Sequence, residues 1–356
     1  MKSDFIFKDR LYTLPSSGRV TGAETKIIKK IISFSKCNIK IDNLLLVCVE
    51  EDYDFYHIYS GSNIFDLKLS LDHESEKFNR EIKNTKLCKS KSVPKYVDSG
   101  VVKVGDKISY LICESNRSES LFDYGRSHLS SNLDLFADFY CDFASNSNYK
   151  LLYKTLLSDL MKEADINSVF DLDQKSYIQN NSDYDKCETI INELISDISS
   201  RLNVLPKIYT GNIIGDFDKN SVFTEGNNFS FKDLRYGCKG HVYSDIANIT
   251  LYYGFSKPVE KTLLQKITQK MSLTADNNLY NQFYELELRR KALHYLLQYL
   301  KEVYIYESSR IEVIINLIDS FAQSFDRICK IPIIRDNREF IVSNIAEPII
   351  ESDTKD

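Results

Sequence analysis

The sequence of 356 residues lacks the features that would assign it to a membrane, to a secretory route or to a nucleic acid. It contains no apolar run approaching the ~18 residues of a membrane-spanning helix. Its N-terminal stretch has no apolar core of the kind found in secretory signals. It has no long basic run, and its formal net charge of −5 argues against binding nucleic acid by phosphate neutralisation. We therefore expect a cytoplasmic protein that binds neither nucleic acid nor a membrane.

The cysteines are also spaced unlike those of a zinc site. The chain has eight of them, scattered, and no two stand in Cys-x-x-Cys spacing. Because structural zinc sites use closely paired cysteines, we expect reduced thiols, most of them buried. Hydrophobic residues make up 43% of the sequence, which is typical of a soluble globular protein. The length is sufficient for two lobes with separate cores.

Hydrophobic periodicity predicts that the first part of the chain is rich in strands. Isoleucines at helical spacing predict an amphipathic helix over 23–34, and a second, charged helix is predicted over 74–88. A tight hairpin turn is predicted at Gly61-Ser62-Asn63. Five predicted strands cover 43–49, 55–60, 64–71, 94–102 and 107–113. This order predicts a small antiparallel sheet with a helix.

The pattern changes after Glu114, where helical periodicity dominates. The predicted helices cover 133–144, 149–164, 185–202, 244–253, 259–271, 278–304 and 309–329. The sequence therefore predicts an α+β protein of two parts, residues 1–114 with the sheet and residues 115–356 with most of the helices.

One interruption of the helical part, from Ile213 to Ala247, carries acidic residues in loops. Gly215-Asp216 follows an apolar pair, and a hairpin pattern with turn residues 224–227 then leads to Asp233. Asp245 stands twelve residues later, at the head of an apolar helix. Two loop carboxylates on either side of a hairpin can converge on one point. Phosphoryl transfer needs such a pair, one group to orient the attacking hydroxyl and one to hold magnesium.

In their order and spacing, these features resemble the aminoglycoside phosphotransferase and choline kinase-like family over residues 43–305. The most specific piece is Asp233-Leu234-Arg235-Tyr236-Gly237, followed by Ser244-Asp245-Ile246-Ala247. The resemblance implies a two-lobed protein kinase-like fold. Residues 1–114 would form the nucleotide-binding lobe, and residues 115–356 the helical lobe with catalytic loop, metal loop and acceptor site. It also implies ATP and Mg²⁺ as cofactors and a small-molecule hydroxyl as acceptor.

The resemblance assigns roles to individual residues. Asp216 would be the catalytic aspartate, which accepts or orients the proton of the attacking hydroxyl. Asp233 would hold magnesium, for which carboxylate oxygens are suited. Lys68 would contact the nucleotide phosphates. Glu81 would pair with that lysine, with Glu74 and Glu76 as alternatives.

Two further sets of positions follow from the same resemblance. Backbone groups of Cys113, Glu114 and Ser115, at the end of a strand, would contact the adenine. Asp245 would organise the catalytic loop or serve only as an acidic residue at a helix N-terminus.

The sequence departs from the family pattern at three places. Ile214 stands where the family has a histidine. The metal-binding asparagine is expected at Ser221, whereas the nearest asparagine, Asn220, lies one residue earlier, so either residue is a candidate metal ligand. The loop 50–54 is acidic and has no glycine that would let backbone amides approach phosphates.

These departures leave two hypotheses. The first is an ATP- and Mg²⁺-dependent kinase of a small-molecule hydroxyl. The second is a kinase-like binding or regulatory protein with impaired catalysis. A kinase of protein side chains is disfavoured, because only eleven residues separate Asp233 from Asp245 and leave no room for a long substrate-docking loop. The sequence does not identify the acceptor or the oligomeric state.

Overall fold

The computed structural model describes residues 20–49, 53–115, 119–120, 126–163, 182–217, 221–305, 327–328 and 330–337. Asn220, the acidic loop 50–52 and most of the predicted helix 309–329 lie outside these residues. The chain forms two compact units. Unit 1 comprises Met1–Lys150, Gly211–Lys239 and Gln265–Leu273, and unit 2 comprises Leu151–Thr210, Gly240–Leu264 and Thr274–Asp356. The predicted lobe boundary at residue 114 stays a prediction.

Strands dominate the first 115 residues. The elements there are α1 (Gly22–Phe34), β1 (Asn43–Val49), β2 (Asp54–Ser60), β3 (Asn63–Ser70), α2 (Glu76–Leu87), β4 (Lys95–Val104) and β5 (Asp106–Ser115). The five strands form one antiparallel sheet in the order β1-β2-β3-β5-β4. Gly61 adopts a φ of 59° at the turn between β2 and β3, a conformation that glycine reaches without strain. The predicted sheet, its helices and this hairpin are confirmed.

Helices dominate the remainder of the described chain. The elements are β6 (Glu119–Ser120), α3 (Arg126–Ser131), α4 (Leu133–Asn146), α5 (Tyr153–Glu163), α6 (Ser182–Val204), β7 (Gly211–Ile213), β8 (Val222–Glu225), β9 (Asn228–Phe231), β10 (Cys238–Gly240), α7 (Val242–Tyr252), α8 (Lys257–Lys270), α9 (Asn277–Ile305) and α10 (Pro332–Asp336). The predicted hairpin of the acidic segment is β8–β9, with its turn at Gly226. The sequence patterns did not predict strands β6, β7 and β10 or helices α3 and α10.

Helix α1 covers one face of the five-stranded sheet. Its N-terminus is fixed by a capping box, in which Thr21 and Glu24 bond each other's backbone N–H groups. Its buried isoleucines pack against apolar side chains of the sheet, and both sets belong to one core: Ile27, Ile28, Ile31, Ile32, Leu46, Tyr56, Ile58, Leu67, Leu69, Val102, Ile108, Tyr110 and Ile112. Burying each isoleucine contributes roughly 1.5–3 kcal/mol.

The opposite face of the sheet carries the candidate site. Side chains alternate along a strand, so Asp66 and Lys68 of β3 lie on the face opposite to Leu67 and Leu69. A second core on that face joins Phe78 of α2 to side chains of the sheet and to the β8–β9 hairpin: Cys48, Tyr53, Phe55, Leu111, Cys113 and Phe223. The charged residues of this face are therefore surrounded by aromatic rings.

In unit 2, helix α9 packs against both α6 and α7. A buried carboxylate, Glu287 of α9, lies at the centre of its polar network. It accepts hydrogen bonds from the hydroxyls of Tyr153 and Ser244 and, at 2.7 Å, from Nε of Arg290. Every group in this network is partnered, which is how a buried charge is tolerated. None of the described helices combines the length and the apolar composition that a membrane span requires.

We expect the substitution Ile28→Ala to lower the free energy of unfolding by about 2–5 kcal/mol, because it leaves a cavity between α1 and the sheet. Ile28 is fully buried, whereas the neighbouring Lys29 is exposed. The control is therefore Lys29→Ala, which should change stability by less than about 0.5 kcal/mol. Urea denaturation of both variants checks the prediction, and equal effects would contradict the packing described for α1.

Candidate active site

A buried ion pair joins β3 to α2. The Lys68 ammonium lies 2.6 Å from Oε1 of Glu81 and also donates to the backbone carbonyl of Lys232. Burial alone would lower the pKa of Lys68, but Glu81 and then Asp233 raise it above its ordinary value, so the lysine stays charged. Of the three glutamates considered from the sequence, Glu81 is the one that the structure brings to Lys68. Glu74 and Glu76 are exposed.

The same helix also binds the segment 233–237. The second oxygen of Glu81 accepts the N–H of Leu234 at 2.5 Å. One turn further along α2, the side-chain amide of Asn84 donates to the carbonyls of Leu234 and Gly237, at 2.8 and 2.9 Å. Two side chains of α2 therefore fix three backbone groups of the segment that follows Asp233. The sequence does not distinguish Asn84 from other polar residues of a helix, because both of its partners are backbone groups of a distant segment.

Gly237 closes this segment in a tight turn, its N–H bonded to the carbonyl of Leu234 at 3.0 Å. A Cβ at this position would lie 2.8 Å from Cε2 of Tyr149 and 3.0 Å from the side-chain nitrogen of Asn84. Tyr149 is fully buried and cannot easily move. The glycine is therefore required by the close approach of the turn to α2 and Tyr149.

Asp233 is bonded to the arginine two residues later. The Arg235 guanidinium approaches both carboxylate oxygens, with Nε at 3.0 Å from each and one terminal nitrogen at 2.6 Å from Oδ2. Arg235 also lies over the ring of Tyr53, 4.9 Å from its centroid. Burial would raise the pKa of Asp233, but Arg235 and then Lys68 outweigh it and hold this pKa at about 2.

The residues present have the donor chemistry for magnesium but do not form a free cluster for it. Asp233 offers carboxylate oxygens and Ser221 a hydroxyl, which are donors that magnesium accepts. Ser221 is buried, and its carbonyl accepts the N–H of Lys232 at 3.1 Å. In the described ranges no three histidine, cysteine, aspartate or glutamate side chains are grouped as metal ligands. Asp233 would have to exchange Arg235 for the metal.

A second buried ion pair, which the sequence did not predict, lies on the same sheet face. The Lys232 ammonium lies 3.1 Å from Oδ2 of Asp66 and donates to the Ser115 hydroxyl at 2.9 Å. Nδ1 of His57 lies 2.8 Å from the other oxygen of Asp66. Burial would raise the pKa of Asp66, but Lys232 and His57 lower it below its ordinary value. Asp66 is therefore an ionised, internally compensated carboxylate.

Asp216 follows a glycine in the left-handed region, Gly215, whose φ is 84°. It is half-buried, and its Oδ1 accepts the N–H of Phe217 at 2.9 Å. The preceding Ile214 is fully buried, as expected for an apolar residue where the family has histidine. Tyr236 lies near both candidate carboxylates. Burial raises the pKa of its phenol to about 12, and Asp216 and Asp233 add to that rise.

Cys113, Glu114 and Ser115 end strand β5. Cys113 and Glu114 each pair with β3 on one side and β4 on the other. Ser115, the last residue of the strand, pairs with Ile64 of β3. The sheet ladder therefore engages the backbone of Cys113 and Glu114 on both sides, and Ser115 is the predicted adenine contact nearest the end of the strand.

Asp245 belongs to unit 2 and lies in the first turn of α7, whose N-cap is His241. The helix begins where the sequence predicted an apolar helix with an acidic head. An acidic residue in a first turn is stabilised by the helix dipole. Its suggested role as organiser of the catalytic loop stays a prediction.

Comparisons with known proteins reveal relatives in structure but not in sequence. No family model matches the sequence, and no curated protein matches it. One similar structure is a thermostable mutant of aminoglycoside phosphotransferase APH(4)-Ia in a ternary complex with ADP and hygromycin B, with a TM-score of 0.56 and 12% identity. That match covers 86% of this chain and 98% of the other.

Two further solved structures are similar over most of their length. Choline kinase LicA from Streptococcus pneumoniae has a TM-score of 0.53 at 12% identity, covering 86% of this chain and 100% of the other. Spectinomycin phosphotransferase APH(9)-Ia in complex with ADP and spectinomycin has a TM-score of 0.51 at 9% identity, covering 85% and 93%. The chain thus has the protein kinase-like fold of the aminoglycoside phosphotransferases and choline kinases, as the sequence resemblance implied.

We expect Gly237→Ala to destabilise the protein by about 1–3 kcal/mol, because the added methyl group would overlap the ring of Tyr149. Gly22→Ala is a matched control, since a Cβ there would meet nothing within 4 Å. Gly22 is the first residue of α1, so alanine should be neutral or stabilising by up to about 1 kcal/mol. Thermal or urea unfolding compares the two, and an equal response of both variants would contradict the close approach.

The Asp233–Arg235 pair should make stability depend on acid pH. Because the folded-state pKa of Asp233 lies near 2, below its unfolded value, its contribution is complete above about pH 4 and is lost as the pH falls towards 2. We expect a loss on the order of 2 kcal/mol from this group. The measurement is the free energy of unfolding of the wild type and of the double variant Asp233→Asn/Arg235→Met, between pH 6 and pH 2 at intervals of about half a pH unit. The difference between the two series gives the contribution of the pair.

The single variant Arg235→Met sharpens this test. It leaves a carboxylate buried without its cation, which should cost about 3–5 kcal/mol at neutral pH. The folded-state pKa of Asp233 then rises, so acidification should relieve part of that cost instead of adding to it. A variant that loses stability in acid in parallel with the wild type would show that the pair does not control the pKa.

Proposed function

We propose that this protein is a phosphotransferase that moves the γ-phosphoryl group of ATP, in the presence of Mg²⁺, to a hydroxyl of a small molecule. The observation that carries the proposal is the double use of Glu81. One of its oxygens holds the Lys68 ammonium, and the other holds the backbone of the segment that carries Asp233. A lysine for phosphates and a carboxylate for metal are thereby tied to one helix residue, which is what a positioning mechanism requires.

Each residue then has a distinct task in the proposed reaction. The acceptor hydroxyl oxygen forms a bond to the γ-phosphorus, and the bond from that phosphorus to the bridging oxygen breaks to release ADP. Asp216 orients the hydroxyl and takes its proton. Lys68 neutralises phosphate charge, and backbone groups near Ser115 hold the adenine. When bound, Mg²⁺ would neutralise charge on the phosphates, held by Asp233 with Asn220 or Ser221.

The acceptor is proposed only as a class. The similar solved structures include complexes with hygromycin B and with spectinomycin, and a choline kinase. The proposed acceptor is a hydroxyl group on a small molecule of this kind. A panel of aminoglycosides, amino alcohols and sugars is therefore the starting set for this protein.

A second candidate function is a kinase-like binding or regulatory protein with impaired turnover. It is favoured by the way in which the charged groups are already satisfied. Arg235 covers both oxygens of Asp233, and Lys232 is bonded to Asp66. A protein in which these ion pairs never open would keep the kinase-like fold. Its charged side chains could not exchange their present partners for metal and phosphate.

The test of phosphotransfer compares nucleotide turnover by the wild type, Asp216→Ala and Asp233→Ala over the acceptor panel. We expect each substitution to lower kcat/KM at least about 100-fold, since each removes a group that acts on the reacting atoms or their metal. The control is Asp134→Asn, an exposed α4 residue paired with Lys266 and remote from the site residues in sequence. It should retain full activity.

Two results would reject the proposal. One is equal residual turnover in the wild type and both aspartate variants, which would indicate a contaminating activity. The other is a folded wild type that no combination of ATP and MgCl₂ stabilises in a thermal titration, since ligand binding to the native state must raise its stability. Stabilisation by ATP with no turnover over the whole panel would favour the regulatory protein.

A further inference from the structure

Strand β3 runs along the sheet face that carries the proposed nucleotide site. One end of this face would hold the phosphates, and the other end would hold the base. Lys68 marks the phosphate end. Two residues earlier, and on the same face, stands Asp66, roughly 7 Å along the strand. The register continues to Ile64, which pairs with Ser115 at the base end. A nucleotide that reaches from Lys68 to Ser115 must therefore pass over Asp66.

Lys232 occupies that position. Its ammonium lies 3.1 Å from Asp66 and 2.9 Å from the hydroxyl of Ser115, so it bridges the middle and the base end of the face. The rings of Phe223 and Phe55 flank it, with their centroids at 4.5 and 5.7 Å. Its side chain is only 2% exposed. The Lys232 ammonium is therefore hydrogen-bonded, ion-paired and enclosed by aromatic rings.

The two flanking rings leave no slot for a base. The centroids of Phe55 and Phe223 are 6.1 Å apart and the rings meet edge to face, at 75°. A base stacked between two rings needs them nearly parallel and about 7 Å apart, twice a carbon–carbon contact. Phe55 belongs to the sheet and Phe223 to the β8–β9 hairpin, so the contact brings these two elements together across the face.

The described cavity that adjoins these charged groups is small. The cavity lined by Asp66, Lys68, Glu81 and Lys232 has a volume of about 10 Å³. That is about the space for one water molecule. Sites for small ligands have volumes of roughly 300–1,000 Å³.

We infer that Lys232 is an internal occupant of the nucleotide site, which must leave Asp66 and Ser115 before a nucleotide enters. The inference rests on the proposed function, because Lys68 and Ser115 mark the two ends only if the protein binds a nucleotide. Its consequence is quantitative. A ligand that binds only the state with Lys232 displaced has its affinity reduced by the fraction of molecules in that state. Lys232 therefore determines nucleotide affinity without contacting the reacting atoms.

The decisive experiment separates the space that Lys232 fills from the charge that it carries. The variant Lys232→Ala/Asp66→Ser removes both charges and opens the face. The matched control Lys232→Met/Asp66→Leu also removes both charges but keeps the volume filled. Neither leaves an unpaired buried charge, so neither incurs the main cost of breaking a buried ion pair. A third variant, Lys232→Ala/Asp66→Asn, keeps an amide next to His57 in case the first does not fold.

Calorimetric titration with AMP-PNP and excess MgCl₂ measures the affinity of each folded variant. We expect the opened variants to bind at least about 10-fold more tightly than the wild type, and the filled control to bind no more tightly than the wild type. Equal affinities in the wild type and the opened variants would overturn the role of Lys232 and leave the proposed function intact. Tighter binding by the filled control would assign the effect to charge and also overturn it. No binding by any folded protein would overturn both proposals.

Discussion

The carboxylate of Glu81 is the interaction on which the rest of the site depends. It is almost fully buried, and its two oxygens have different partners, the Lys68 ammonium and the N–H of Leu234. Burying a carboxylate costs free energy unless both of its oxygens are paired. Because the partners of Glu81 lie in β3 and in the segment after Asp233, the carboxylate fixes the positions of both relative to α2. Asn84, one turn along the helix, adds two hydrogen bonds to the same segment. One helix face therefore sets the geometry of two predicted functional residues.

The charges of this sheet face compensate one another. Three cations, Lys68, Lys232 and Arg235, are paired with three carboxylates: Glu81, Asp66 and Asp233. Removing one partner from a buried pair is strongly destabilising, whereas replacing both by apolar groups is often neutral. The three ion pairs therefore favour one arrangement of these side chains more than they increase the free energy of unfolding. Aromatic rings around the cations, including Tyr53 and Phe55, keep water away from these pairs.

Much of the fold followed from the sequence because its signals are local. Alternating and helical periodicities predicted the five strands and the two helices near them, and a short glycine-containing turn predicted the β2–β3 hairpin. The pairing of Lys68 with Glu81 followed from a family resemblance in order and spacing, although sequence alone left Glu74 and Glu76 open. In the structure Glu81 forms the ion pair with Lys68, whereas Glu74 and Glu76 are exposed.

The parts that sequence reasoning missed depend on long-range contacts between unremarkable residues. Asp66 and Lys232 stand 166 residues apart, and each lies in a strand or loop where a charged residue is usually solvated. The role of Asn84 depends on backbone carbonyls of a distant segment, and the requirement for glycine at position 237 depends on the close approach of the Tyr149 ring. Asp233-Leu234-Arg235 was singled out for its aspartate, and the arginine had no assigned role. The sequence does not show that the side chains of Asp233 and Arg235 are both buried, so it does not predict their ion pair.

Charge balance also constrains which ligand such a face can accept. A triphosphate brings several negative charges, and the three cations described in this buried cluster are already bonded to carboxylates. Each contact between phosphate and cation would draw that cation from its partner, leaving a carboxylate buried with less compensation. A nucleotide accompanied by a divalent cation supplies positive charge for the released carboxylates, Asp233 foremost. For the proposed function, electroneutrality of the buried cluster is therefore a physical reason to expect a metal–nucleotide complex rather than the free nucleotide.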